Sequence, residues 1–149
     1  MIKIYLDACC INRPFDNQSY PRIHLESEAI LLLLMYCEKG YLKWIGSDIL
    51  DYEIEHTPDL LKKEMIKLII STTKGHITLN ETIRKRANEI QKWKISSFDS
   101  LHVASAEYGK IDIFLTTDDK LLSKLKKHRQ NLKCKADNPL NWVQEVKLL

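Results

Sequence analysis

Four acidic residues stand where a solvated surface would not put them. Asp7 follows directly on IKIYL (2–6), a run apolar enough to read as a buried strand. Asp118 follows IFLTT in the same way. Glu53 lies in SDILDYEIE (47–55); at about 100° per residue Ile49, Leu50 and Ile54 form one apolar arc, and Glu53 falls inside it. Asp48, Asp51 and Glu55 fall together on the opposite, solvent side. Asp99 lies in SSFDSLHVASAEYG (96–109), on the Val103 and Ala106 side and away from a polar pole at Ser100 and Glu107. A buried carboxylate must be paired, hydrogen-bonded or metal-bound. Like charges brought together stay partly protonated unless a cation intervenes. An all-oxygen donor set suits Mg²⁺ or Mn²⁺ rather than zinc. Such a site activates water and stabilises a phosphoryl transition state.

Each acid also has a plainer reading. Ser96 and Asp99 match a capping box, Asp118 suits the first turn of a helix, Asp7 could cap a loop, and Glu53 could snorkel from the rim of its arc. None of these explains why all four would meet at one edge.

The elements that would bring them there alternate. Strands are expected at 2–6, 41–46, 76–79, 112–117 and 132–135. Helices are expected from Pro21 to Gly40, over 47–55 with Ser47 as N-cap, from Pro58 to about 73, over 80–92 with Asn80 as cap, over 96–109 closed by Gly109, over 118–128, and from Asn138 to the end. NRPFDNQSYP reads as a polar loop. Alternation of this kind predicts a three-layer α/β/α fold around a central, mainly parallel sheet. Ligands of such sheets bind outside the carboxyl ends of the strands, where Asp7 and Asp118 would sit.

Bulk composition narrows the class. At 149 residues the chain is expected to form a single domain, 1–149, and four glycines and four prolines leave little room for linkers. No signal-like segment precedes the first strand, and AILLLLMYC (29–37) is too short for a span of about 20 residues, so a cytoplasmic protein without membrane contact is expected. Cys9, Cys10, Cys37 and Cys134 lack metal-ligand or redox spacing and read as packed thiols. The net charge of +3 is too small to argue nucleic-acid binding, but KLKKHR (124–129) and the Arg84–Arg86, Lys92 and Lys94 group could face a phosphate backbone. Asp7 as a dehalogenase-type nucleophile would need an acid at the position of Cys9. A cysteine phosphatase would need an arginine where Phe15 or Asp16 stands. Both fail.

In IYLDACCINRPFD, SDILDYE, FDSLHVASAE and FLTTDDKLL, in that order, the chain resembles the PIN-domain nucleases, especially the small VapC-like ribonucleases of toxin–antitoxin pairs. The resemblance extends to NPLNWVQE near the end. It implies a metal-dependent endoribonuclease on a PIN-like fold, RNA as substrate, a small antitoxin as partner, and Mg²⁺ or Mn²⁺ held by Asp7, Glu53, Asp99 and Asp118. It also implies a supporting hydroxyl at Thr116, and Asn12 belongs to an NRPFD loop found in one subgroup. A homodimer is compatible with it. Ala8 departs from the Thr or Ser often found after the first Asp, so hydroxyl support for Asp7 must come from elsewhere. Asp119 could share or replace the role of Asp118. A non-catalytic RNA- or partner-binding module on the same fold is the alternative function.

Overall fold

The computed structural model describes residues 1–148. Among them five parallel strands form one sheet in the order β3-β2-β1-β4-β5. The strands are β1 (Ile2–Leu6), β2 (Leu42–Ser47), β3 (Gly75–Ile77), β4 (Ile113–Leu115) and β5 (Lys135–Asp137). The helices are α1 (Ala8–Asn12), α2 (Pro21–Glu38), α3 (Asp48–Glu55), α4 (Leu60–Ile70), α5 (Glu81–Gln91), α6 (Ser97–Tyr108), α7 (Asp119–Lys127) and α8 (Pro139–Glu145). No helix among the described residues is long and apolar enough to cross a membrane.

The period of two along the strands explains the three layers. Ile4, Leu6, Leu42, Trp44, Ile113 and Leu115 point to one side, where they pack with buried residues of α1, α2, α3, α4 and α8. Tyr5, Ile45, Ile77 and Phe114 point to the other, against α5, α6 and α7. Both faces are covered, so the central strand is apolar without alternation: Ile4, Tyr5 and Leu6 are all fully buried.

Several boundaries differ from the sequence expectation. α4 starts at Leu60, two residues after Pro58, because the Asp59 carboxylate accepts from Lys62 N and caps it. The last strand lies at Lys135–Asp137 rather than 132–135, where it pairs with β4. α1 was not expected: five residues carry too little periodicity to read, and the Asp7 side chain fixes the helix by accepting from Ala8 N. The polar pole assigned to α6 is absent. Ser100 is fully buried, and the Glu107 carboxylate is held by Arg86, because α6 is enclosed by the sheet and its neighbouring helices. Gly109 does follow α6, but with φ −76 it is not a left-handed cap. A Cβ there would meet Ile77 Cδ1 at 2.6 Å, so the close approach of α6 to β3 requires glycine. Gly40, with φ +81, is the left-handed residue that ends α2.

On α2, Ser27 is buried and its hydroxyl has no hydrogen-bond partner among the described residues. Such a group costs roughly 1–3 kcal/mol, and alanine is the better helix former. Ser27→Ala is therefore expected to stabilise the protein by about 1 kcal/mol, read as a higher urea midpoint at unchanged slope. A lower midpoint would mean that the hydroxyl has found a partner.

Candidate metal centre

The strand order reverses direction between β1 and β4, and this switch point builds the site. Register pairs Leu6 with Leu115, so the residues that follow, Asp7 and Thr116, leave the sheet side by side. Asp7 is buried. Its Oδ1 accepts from Ala8 N at 2.7 Å and its Oδ2 from the Thr116 hydroxyl at 3.1 Å. The hydroxyl support that Ala8 cannot give thus arrives from the neighbouring strand. Thr116 Oγ1 also accepts from Asp118 N at 3.1 Å, which ties the start of α7 to Asp7. The Cys9 thiol sits beside this pair, 3.5 Å from Asp7 Oδ2 and 3.3 Å from Thr116 Oγ1. All four cysteines are free.

Glu53 reaches the site from α3, whose start is fixed by the Ser47 hydroxyl accepting from Leu50 N. Its Oε1 lies 2.7 Å from His102 Nε2, and that nitrogen lies 4.0 Å from Asp7 Oδ1. Asp7, Glu53 and His102 each offer a ligand atom within 4.8 Å of the others. Asp48 and Asp51 lie on the outer face of α3 beside His76, and Glu55 pairs with Lys63 and Lys67.

Asp99 and Asp118 stand outside this closest group; the Asp99 charge acts on His102, and the Asp118 charge acts on Asp99. Burial raises the Asp99 pKa first, the negative charge of Asp7 adds to that, and Asp118 contributes a smaller push. The Ser96 hydroxyl and His102 oppose these effects. The Ser96 hydroxyl also accepts from Asp99 N, so Asp99 begins a capped helix as well as facing the acids. Asp118 caps α7 through Oδ1 alone, accepting from Lys120 N and Leu121 N. Burial is likewise the main reason why the Asp7 pKa is raised; His102 opposes it and the Glu53 charge adds to it. Two acids that resist ionisation beside two more are a donor set short of positive charge.

The remaining candidates are placed elsewhere. Asp119 turns away from the other acids into a two-bond pair with Arg22, 2.6 Å for each contact. Asn12 donates to Ala8 O at 2.9 Å and closes α1.

His102 was not singled out by sequence reasoning. It is fully buried, and its Nδ1 meets the Tyr5 hydroxyl at 2.5 Å. Burial alone would lower its pKa, but the bond to Glu53 and the charges of Asp7, Glu53 and Asp99 outweigh that and raise it. The available signal was its position one turn after Asp99, among the valine and alanines of an enclosed helix.

No family model and no curated protein matches the chain. Solved structures do. A VapBC2 complex from Rickettsia felis, bound to a DNA fragment from its promoter, aligns with TM-score 0.59 and 13% identity over 92% of this chain and 98% of that one. DNA-bound VapBC from Salmonella typhimurium aligns with TM-score 0.52 and 12% identity, over 93% of this chain and 99% of that one. PAE2754 from Pyrobaculum aerophilum gives 0.52 and 13%, over 99% of this chain and 96% of that one. At such identities the likeness speaks to architecture, and what it establishes is that this chain has a VapC-like PIN-domain fold.

Proposed function

We propose that the chain is a divalent-metal-dependent endoribonuclease, a single PIN-like domain over 1–149 acting in the cytoplasm as the toxin of a toxin–antitoxin pair. The observation that carries this reading is the meeting of Asp7, Glu53 and His102 at the sheet's switch point, with Asp118 close enough for its charge to act on Asp99. The likeness to VapBC assemblies supports the antitoxin partner by analogy.

The residues fit a hard cation. Asp7, Glu53, Asp99 and Asp118 offer carboxylate oxygens; burial first, and the charge of a neighbouring acid after it, raises the pKa values of Asp7 and Asp99, and a bound cation would favour their ionised forms. Mg²⁺ or Mn²⁺, when bound, supplies a Lewis acid for the phosphodiester and lowers the pKa of water. The protein's own work is orientation. Ala8 N and Thr116 hold the two Asp7 oxygens, and the Thr116 link sets Asp118 at the mouth. Lys124 Nζ donates to Lys94 O, which folds the basic end of α7 onto the loop leading into α6. In this reading those lysines meet the phosphates flanking the scissile one.

Titrating Mg²⁺ or Mn²⁺ into protein and RNA tests the reading. Cleavage should require the metal, vanish in EDTA and vanish in Asp99→Asn. RNA binding without cleavage at any metal concentration would favour the non-catalytic module instead.

The two adjacent acids should separate in the same assay. Asp118→Asn keeps an oxygen for the helix cap but loses its charge, and should lower cleavage by about 10-fold or more. Asp119→Asn, whose partner is Arg22, should stay within about 3-fold of wild type. The reverse order would assign the role to Asp119.

A further inference from the structure

The geometry points to His102 as a positioning residue: a one-way hydrogen-bond chain from Leu50 N through Ser47, Tyr5 and His102 fixes the Glu53 carboxylate against Asp7. The inference rests on the metal-site reading above and adds residues outside the four acids.

Direction follows from counting donors and acceptors. Ser47 is fully buried, and its oxygen already accepts from Leu50 N at 3.0 Å. Its proton then has the Tyr5 oxygen, 2.7 Å away, as its acceptor among the described contacts. Tyr5, also fully buried, must pass its own proton on to His102 Nδ1. That nitrogen is then an acceptor, so the ring proton sits on Nε2 and is donated to Glu53 Oε1 at 2.7 Å. A proton on both ring nitrogens would leave one of the two buried hydroxyls without an acceptor. Burial raises the Tyr5 pKa well above its usual value, which keeps the phenol a donor.

The chain also closes on itself in space. It begins at the first turn of α3 and ends on Glu53, the carboxylate that the same helix presents. Its two middle members are anchored independently. Tyr5 lies in the central strand, stacked on Phe114 with ring centroids 5.4 Å apart, and His102 lies within the enclosed α6. Glu53 is otherwise a partly exposed side chain, 39% accessible, free to swing outward. Without His102 nothing on the described contacts holds it inward. Groups that orient a metal ligand in this way typically change affinity or activity by about 10–100-fold when removed.

Mn²⁺ titrations followed by the EPR signal of the free ion give a readout independent of RNA cleavage. His102→Leu should weaken Mn²⁺ binding by about 10-fold or more. His102→Gln, whose amide can still donate to Glu53, should stay within about 3-fold of wild type. Tyr5→Phe keeps the stack on Phe114 and should fall between them. A melt of each variant in EDTA reports whether it is folded. Nitrogen-15 NMR of the wild type at about pH 9, assigned with His102→Gln, should show the His102 proton on Nε2. A proton on Nδ1, or wild-type Mn²⁺ binding in folded His102→Leu, overturns the inference and leaves the nuclease reading standing. Mn²⁺ binding and an Nε2 proton without RNA cleavage overturn the nuclease reading and leave the inference standing. A wild type that binds no Mn²⁺ overturns both.

Discussion

Asp7→Asn is expected to lower RNA cleavage by about 100-fold or more while making the metal-free protein more heat-stable. The loss is set by comparison: groups that merely orient a metal ligand are worth up to about 100-fold, so a direct ligand should cost at least that. The stability gain follows from linkage. Burial above all raises the folded-state pKa of Asp7 from its usual 3.8. The folded chain therefore holds that proton more tightly than the unfolded chain. Well below 3.8 the residue is protonated in both states and its stability contribution is fully present. As the pH rises through the raised folded value, that contribution is lost, because the charge must form in the interior. Asparagine never ionises and keeps an acceptor for Ala8 N. The difference in Tm between variant and wild type, measured in EDTA, should be smallest in acid and grow to a plateau above the raised pKa. Comparing the two proteins cancels the other carboxylates, including Asp48 and Asp119, whose pKa values are lowered by their partners. Adding Mg²⁺ should then narrow the gap, because the ion binds the folded wild type. A gap that shrinks with rising pH would mean that His102 stabilises the Asp7 charge more than burial opposes it.

The parts of this site legible in the sequence are those governed by local periodicity. The strand IKIYL, the cap at Ser47 and the inward lean of Glu53 on α3 need only a period and a capping rule, and the structure has each of them. The alternation of strands and helices carried the layered parallel architecture. Strand order is another matter. That Leu6 pairs with Leu115 depends on which distant strand lies beside β1, and so does the support of Asp7 by Thr116. Resemblance pointed to Thr116, but residue spacing gave no means of linking it to Asp7. His102 was illegible for a related reason. A histidine beside a valine and alanines reads as core until the tertiary fold puts Tyr5 on one nitrogen and Glu53 on the other. Asp118 is the favoured acid of the pair in the sequence, but a share for Asp119 stays open until Arg22, 97 residues earlier, claims it.

The same distance effect hid a buried acid on which the fold depends. Glu26 lies one helical turn before Ile30 and two before Leu33 on the inner side of α2, and its side chain is 1% exposed. It accepts from Arg13 Nε at 2.8 Å, from Arg22 Nε at 3.3 Å and from Asn138 Nδ2 at 2.6 Å. These bonds join the 3-10 turn Arg13–Phe15, α2 and the residue that caps α8. Breaking a buried pair by removing one partner costs about 3–5 kcal/mol, because the other charge is left unpaired. Arg13 and Arg22 are 21% and 51% exposed, so water relieves part of that, and about 2–4 kcal/mol is expected for Glu26→Ala. Glu26→Gln, which keeps one acceptor oxygen, should recover part of the loss. The neighbouring Arg22–Asp119 pair is also well formed, but both side chains are more than half exposed. Its contribution should stay under about 1 kcal/mol, so Asp119→Asn should hardly move the urea midpoint. Burial, rather than the shortness of the contacts, is what separates the two variants. Equal losses from Glu26→Ala and Asp119→Asn would show that the arginines and acids act as one cooperative unit, in which exposure does not set the energy.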